Sequence, residues 1–274
     1  MKIKELLKKN YLKKILPNNE IDIILALTLK KNIDYIYKNT EKKLNKSTIN
    51  SFNKLIRKRI NNIPFSYLKK YKEFYNLKFF VNKNTLIPRP ESELLVDLAL
   101  KYIKKNKINN VKIIDIGTGS GCLIISLVKQ LNKYTALGID ISNKAIKIAK
   151  TNARKNKTKI KFNKSNLLNN IPKQKFNIIL ANLPYLTTKE MKEKSIQKEP
   201  NISLYGGKNG LKYYFKLIKN IKKYLEKKCI ILLEINPEQK NNLDKEIKKN
   251  LPKSRLKYIK DLNNKTRVLK IINC

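Results

Sequence analysis

The chain has no histidine at all. That absence removes imidazole metal ligands, Ser-His-Asp and Cys-His nucleophilic catalysis, and the side chain that most readily serves as a general base near neutral pH. Cysteine is scarce as well. Cys122, Cys229 and Cys274 are scattered, odd in number and without paired metal spacing, so they read as reduced thiols, none of them placed as a nucleophile. Nowhere do 18 apolar residues run together, and Lys8, Lys9, Lys13 and Lys14 break up the apolar residues of the basic N-terminus before a signal-peptide core can form. The expectation is a soluble, cytoplasmic protein with no membrane contact.

Acidic residues are few: 20 Asp plus Glu stand against 63 Lys plus Arg, a formal net charge of +43. Such an excess ordinarily marks a nucleic-acid or anionic-membrane surface. Here all the basic residues are lysine except Arg57, Arg59, Arg89, Arg154, Arg255 and Arg267, and the charge runs along the whole chain. Lysine, asparagine and isoleucine, all abundant, share A- and T-rich codons, whereas a nucleic-acid site favours clustered arginine for its bidentate geometry. The excess is read first as a lysine-coated solvated surface, the alternative being a selected contact with RNA or ribosome, with weak nonspecific affinity for polyanions in either case.

At 274 residues the chain fits one large α/β domain plus a smaller one. Residues 1 to about 75 carry helical spacing. Ile3, Leu6, Leu7, Tyr11 and Ile15 form one stripe and Ile49, Phe52, Ile56 and Ile60 another, with Ser47 or Thr48 placed to cap the second. Glycine is absent before Gly117. Phe79–Val81 and Thr85–Ile87, around Asn82 to Asn84, suggest a hairpin linker.

From about residue 89 apolar strands alternate with helices. Strands are expected at Val111–Ile116, Ala136–Ile141, Ile160–Asn163, Phe176–Ala181 and Cys229–Glu234, with helices at Leu94–Ile103, Cys122–Leu131, Lys144–Asn156 and Leu211–Leu225. This rhythm implies right-handed βαβ units and a parallel sheet covered on both faces. Leu256–Ile259 and Val268–Ile272 add an antiparallel pair at the edge.

Asp115, Gly117, Thr118, Gly119, Ser120 and Gly121 sit where the first of these strands turns into a helix. The glycines permit φ > 0 and a close approach to a ligand. A bare Gly-x-Gly-x-Gly also fits a dinucleotide site. The carboxylate of Asp115 disfavours phosphate and suits a cationic amino acid moiety. Asp140, at the end of the second strand, is placed to accept from the two ribose hydroxyls, the rival role being a helix cap before Ser142–Ala145. Asn166, at the end of the third strand, offers an oxygen to an adenine amino group, and Leu167 a surface to its ring. This set fits S-adenosyl-L-methionine better than NAD, and no Walker lysine follows the loop to suggest ATP.

Asn182, Leu183, Pro184 and Tyr185 follow the fourth strand, beside the first, where open α/β sheets bind ligands. A side-chain amide, backbone carbonyls and an aromatic face together suit a planar nitrogen nucleophile. Taken alone the tetrapeptide is equally an Asn-Pro turn. It resembles the (Asn/Asp)-Pro-Pro-(Tyr/Phe) motif of methyltransferases that modify exocyclic amines or amides of adenine, guanine or glutamine. Ile87, Pro88, Arg89, Pro90, Glu91, Ser92 and Glu93 resemble the Ile-Pro-Arg-Pro-(Asp/Glu)-Thr-Glu segment of the release-factor glutamine methyltransferases, the PrmC/HemK family. Further matches are Pro64, Tyr67 and Phe74, then Glu199, Pro200, Leu204, Gly206, Gly207 and Gly210, and finally Asp261, Arg267 and Val268.

The resemblance covers essentially the whole chain. It implies a class I S-adenosylmethionine-dependent methyltransferase of α/β class, with a Rossmann-like seven-stranded sheet whose last strands run antiparallel. It implies a helical substrate-recognition domain at 1–75, a hairpin linker at 76–88 and the methyltransferase domain at 89–274. The implied reaction is methylation of the glutamine amide nitrogen in the Gly-Gly-Gln motif of peptide chain release factors, by a monomer that holds no metal. Asn182 binds cofactor and, through its side-chain oxygen, the acceptor; the Leu183 carbonyl takes the second amide hydrogen, Pro184 stiffens the turn and Tyr185 holds the amide plane. Glu91 and Glu93 are expected to cap the following helix or meet the cofactor's ammonium. The chain departs from the family pattern at Leu183, where proline is usual, at Asn166, where an acid is usual, and at Lys70 and Asn236, where glycine is usual. Two rivals are an N-methyltransferase acting on adenine or guanine in nucleic acid, and a noncatalytic lysine-rich nucleic-acid binder on a decayed methyltransferase fold.

Overall fold

The structure is a computed structural model that describes residues 1–8, 16–169, 171–193 and 196–272. Tyr11 and Ile15 of the first expected stripe, and Cys274, lie outside the described residues. The chain divides into two compact units, 1–70 and 71–274.

The first unit is helical: α1 Ile3–Leu7, α2 Asn18–Leu29, α3 Ile33–Lys38, α4 Lys46–Ile60 and α5 Phe65–Lys69. Ile3, Leu6, Ile21, Ile24, Leu25, Ile36, Phe52 and Ile56 close its core, with Leu7 and Ile49 packed against it, so the described part of each stripe faces inward except Ile60, which is exposed. The cap of α4 is Asn45, not Ser47 or Thr48: its extended backbone precedes the helix and its side chain accepts from Thr48 N–H at 2.8 Å, whereas the other two already lie inside the first turn. Arg59 on α4 forks onto Glu20 of α2 at 2.7 and 3.1 Å. Lys70 ends α5 in the left-handed region, φ 60°, which explains why glycine suits that position.

The second unit opens with an antiparallel hairpin, β1 Tyr71–Phe74 and β2 Leu77–Phe80, earlier than expected. Tyr75 and Asn76 both have positive φ, the conformation of a two-residue hairpin turn whose twist matches the strands. Thr85–Ile87 is not a strand. Asn82 folds that segment into a turn instead, its side-chain oxygen accepting from Asn84 N–H and its carbonyl from Thr85 N–H. Phe74 and Phe79 meet edge to face, 6.1 Å apart, in the core below.

There follow α6 Glu93–Lys105, β3 Val111–Ile116, α7 Cys122–Val128, β4 Tyr134–Asp140, α8 Asn143–Lys155, β5 Lys161–Lys164, β6 Phe176–Ala181, α9 Lys212–Ile221, β7 Leu225–Glu234, α10 Lys240–Asn250, β8 Arg255–Lys260 and β9 Thr266–Ile272. The seven strands β3 to β9 form one sheet in the order β5-β4-β3-β6-β7-β9-β8, parallel except where β9 joins β7 and β8. Because side chains alternate along a strand, Ile113, Ile178, Leu180 and Ile230 face α6, α7 and α8, while Ile114, Ile179, Ile231 and Leu233 face α9 and α10. The sheet is buried on both faces, as its near-continuous apolar strands require. Among the described residues no helix is long and apolar enough to cross a membrane.

Candidate active site

Strands β3 and β6 pair in register, Ile113 with Ile178 through to Ile116 with Ala181. They therefore end together, and Gly117 and Asn182 emerge side by side. The chain passes from β3 to β4 on one side and reaches β6 on the other, the switch point at which a parallel sheet opens a crevice above its carboxyl ends. A cleft lies there, lined by Gly117, Gly119, Asp140, Asn166, Leu167, Asn182, Leu183 and Pro184, with Asn84, Thr85, Leu86, Ile202, Ser203 and Tyr213 completing it. Of the expected site residues, Asp115, Thr118, Ser120, Gly121 and Tyr185 do not line the cleft.

The glycine loop works differently from an anion cradle. The N–H groups of Gly117 and Thr118 donate to Ile139 C=O at 2.9 and 2.8 Å, Gly119 N–H donates to Asp140 Oδ2 at 2.9 Å, and Gly121 N–H to Thr118 C=O at 2.7 Å. With its amides committed inward, the loop has little to offer a pyrophosphate. Its glycine at 117 serves close approach: φ is 75° and a Cβ there would come within 3.1 Å of Leu183 Cδ2. Behind the loop Asp115 is buried; Oδ2 accepts from Thr118 Oγ1 at 2.6 Å, but Oδ1 has no partner. Burial pushes its carboxyl up to about 7. An orphaned buried carboxylate oxygen beside the cleft is what a cationic ammonium would satisfy, so the donor set fits the amino acid end of S-adenosylmethionine.

Asp140 is not a helix cap, because Ser142 caps α8, its Oγ accepting from Ala145 N–H at 3.2 Å. The Asp140 carboxylate accepts instead from Gly119 N–H and Ser142 N–H, which aims it at the cleft and leaves lone pairs for hydroxyl donors. Burial raises its carboxyl, and the backbone donors at Ser142, Gly119 and Ile141 oppose the shift. Asn166 lies two residues beyond the end of β5, and Leu167 adopts φ 51° with its carbonyl held by Ser165 Oγ at 2.7 Å.

The tetrapeptide is anchored from below. The Tyr214 hydroxyl, fully buried on α9, lies 3.2 Å from Leu183 C=O and close to Glu234 C=O. The Leu183 carbonyl expected to face the acceptor thus already has an internal partner. Tyr185 turns away from the cleft, its hydroxyl 3.5 Å from Glu234 Oε1. Its carbonyl accepts from Gln239 Nε2 at 3.1 Å and leaves no room at Gly210, where a Cβ would sit 2.1 Å from that oxygen. Tyr214, Gln239 and Gly210 supply the stiffness that a first proline would give. Asn182 Nδ2 donates to Ser92 Oγ at 3.2 Å, and Ser92 Oγ donates to Glu234 Oε2. Glu234 is buried; desolvation raises its carboxyl, with Ser92, Arg267 and Tyr185 pulling it down and Glu91 pushing it up.

Three contributors escaped the sequence reading. Asn152 on α8 is fully buried; it brackets Phe80 of β2, accepting its N–H and donating to its C=O, and donates to Ser120 C=O at 2.8 Å. Glu234 and Tyr214 are the others. Glu93 neither caps α6 by its side chain nor lines the cleft; it accepts Tyr75 N–H at 2.7 Å. Glu199, buried, accepts Ile87 N–H at 3.0 Å and pairs with Arg89. Asn236 keeps an ordinary negative φ and donates to Glu190. Cys122 starts α7 with its thiol pushed up to about 12 by burial, an unreactive state.

A seven-stranded sheet of this order, with a ligand cleft at its switch point and an Asn-Leu-Pro-Tyr turn across it, defines a methyltransferase. Residues 92–199 match the family model described as Methyltransferase small domain. The chain is 38% identical over 250 residues to the release factor glutamine methyltransferase of Buchnera aphidicola subsp. Baizongia pistaciae, covering 89% of each chain. It belongs to the release factor glutamine methyltransferase family. It is also 35% identical over 252 residues to the bifunctional methyltransferase of Rickettsia bellii, which covers 81% of this chain; the chain spans about half the length of that curated relative, 45%. In fold it is similar to the hMettl16 catalytic domain, solved in complex with MAT2A 3'UTR hairpin 1, with a TM-score of 0.58 at 17% identity over 73% of this chain and 76% of that one.

Proposed function

We propose that the chain methylates the side-chain amide nitrogen of the glutamine in the Gly-Gly-Gln motif of peptide chain release factors, using S-adenosyl-L-methionine. One observation carries this: Asn182 and Leu183 line the same cleft as Gly117, Gly119 and Asp140, so groups suited to an amide stand next to groups suited to an amino acid and a ribose. The Buchnera relative, whose name states release factor glutamine methylation, lends the substrate class. The helical region 1–75 would recognise the protein substrate, and the enzyme would act where release factors do, in the cytoplasm.

When bound, the cofactor supplies a methyl group on a sulfonium. Asp140 would hold its ribose end and Asp115, behind the glycine loop, would meet its ammonium; Gly117 would give it room, and Asn166 and Leu167 would take the adenine. An amide nitrogen is a weak nucleophile because its lone pair is delocalised. Asn182 Oδ1 accepts one of its hydrogens, and the second lone pair of the Leu183 carbonyl accepts the other. With both hydrogens so held, electron density would concentrate on the nitrogen that is to receive the methyl group. No strong base is needed beforehand, since the proton is lost to water once the nitrogen is cationic. Placement of the nitrogen in line is the main resource, worth up to about 7–11 kcal/mol in favourable cases.

The test offers labelled cofactor to the full chain with purified release factor, bulk RNA or bulk DNA. Label is expected in the release factor alone. Asn182→Ala is expected to cut methylation by roughly 100-fold or more while calorimetric cofactor affinity changes little; equal activity of variant and wild type would remove Asn182 from the chemistry, and label in nucleic acid would overturn the substrate.

A further inference from the structure

The Asn182 amide has two ends of opposite character. An amide nucleophile needs the oxygen; the NH2 end pointed at it would repel its hydrogens and leave its lone pair unsupported. Rotation about the last bond of an asparagine side chain interchanges the ends with little steric consequence, so something outside Asn182 must choose. Ser92 makes that choice possible. Its hydroxyl has one proton, and that proton goes to Glu234 Oε2. What remains on the oxygen are lone pairs, which can only accept, and Asn182 Nδ2 donates to them at 3.2 Å. Glu234 Oε2 accepts that proton and its Oε1 faces the Tyr185 hydroxyl, so the direction of the chain is fixed from its far end.

We infer that Ser92 and Glu234 are positioning residues that hold the Asn182 amide with its oxygen toward the reacting nitrogen. The three residues come from separate places: Ser92 from the turn before α6, Asn182 from the end of β6, Glu234 from the end of β7. Ser92 and Glu234 are each 2% exposed, so water does not compete for either. Threonine would carry the same hydroxyl; alanine would not. This role presupposes the methyl transfer proposed above and adds to it.

The experiment compares wild type, Ser92→Ala and Ser92→Thr in the full chain, measuring kcat and KM on purified release factor and cofactor affinity by calorimetry. Ser92→Ala is expected to lose roughly 10- to 100-fold in kcat, the scale of one positioned hydrogen bond to a charged network, with KM and cofactor affinity within about twofold. Ser92→Thr is expected to recover to within a few-fold of wild type. An active wild type with an equally active Ser92→Ala overturns the positioning role alone. So does a Ser92→Thr variant as impaired as Ser92→Ala while folded by circular dichroism. A wild type that leaves release factor unmethylated overturns the proposed function and this role with it.

Discussion

The two units of the chain are stabilised by different means. Among the described residues, all the buried polar and charged side chains lie in the second unit, including Ser92, Asp115, Thr118, Ser120, Asn152, Glu199, Glu234 and Gln239, and Ser92 and Ser120 hydrogen-bond directly to the site's supports Asn182 and Asn152. The core of the first unit is aliphatic apart from Phe52. Its polar links, Asn45 on α4 and the Arg59–Glu20 pair, lie nearer the surface. A site that must hold an amide and a carboxylate still needs hydrogen bonds shielded from water, whereas a bundle needs only complementary apolar faces. Buried polarity here follows the chemistry, not the size of the core.

That contrast can be broken at four places. Phe52→Ala removes the one fully buried aromatic ring of the bundle and should lower stability by about 3–5 kcal/mol, seen in denaturant melts; a much smaller loss would mean the bundle is not organised by its apolar core. Asn152→Ala should come next, at about 2–4 kcal/mol, because Phe80 N–H, Phe80 C=O and Ser120 C=O all lose their partner inside the protein. A loss below 1 kcal/mol there would show that water reaches these groups. The third is dependent on pH. Asp115 is raised to about 7 by burial, so between about pH 4 and pH 7 the folded state keeps a proton that the unfolded chain has released, and stability declines as pH rises through that window. Asp115→Asn has no proton to lose. Thermal melts without cofactor at pH 5 and pH 8 should differ by about 1–3 kcal/mol more for wild type than for the variant; parallel curves would mean the carboxylate is solvated. Smallest is Lys70→Gly, which relieves a left-handed non-glycine residue in the first unit and should add about 0.5–1 kcal/mol. No gain would mean the strain is already relieved by neighbours.

Much of the sheet domain is legible because Val111–Ile116 and Phe176–Ala181 are apolar runs interrupted only by Lys112, Asp115 and Asn177, the mark of strands covered on both faces. The β1 strand is not, because Tyr-Lys-Glu-Phe buries only Phe74. A one-sided, four-residue strand leaves almost no pattern, so the hairpin signal in the sequence falls one segment late. Helix α10, Lys240–Asn250, hides for a similar reason, burying little beyond Leu243 and Ile247. Around the cleft, the residues that act through local backbone, Gly117, Asp140 and Asn182, are visible as strand-end motifs. Asn152, Tyr214 and Glu234 act across the fold, and their partners lie 20 to 142 residues away. No spacing along the chain announces such pairs.

The Glu199 carboxylate holds Ile87 N–H and Arg89 together. Leu86, next to Ile87, and Ile202, three residues after Glu199, both line the cleft. The two lining segments therefore meet at one buried carboxylate, a rivet between two lips. Any widening of the mouth must either carry both lips along together or pull a shielded charge away from its partner, so traffic through the opening is governed by one buried carboxylate and not by two independent loops.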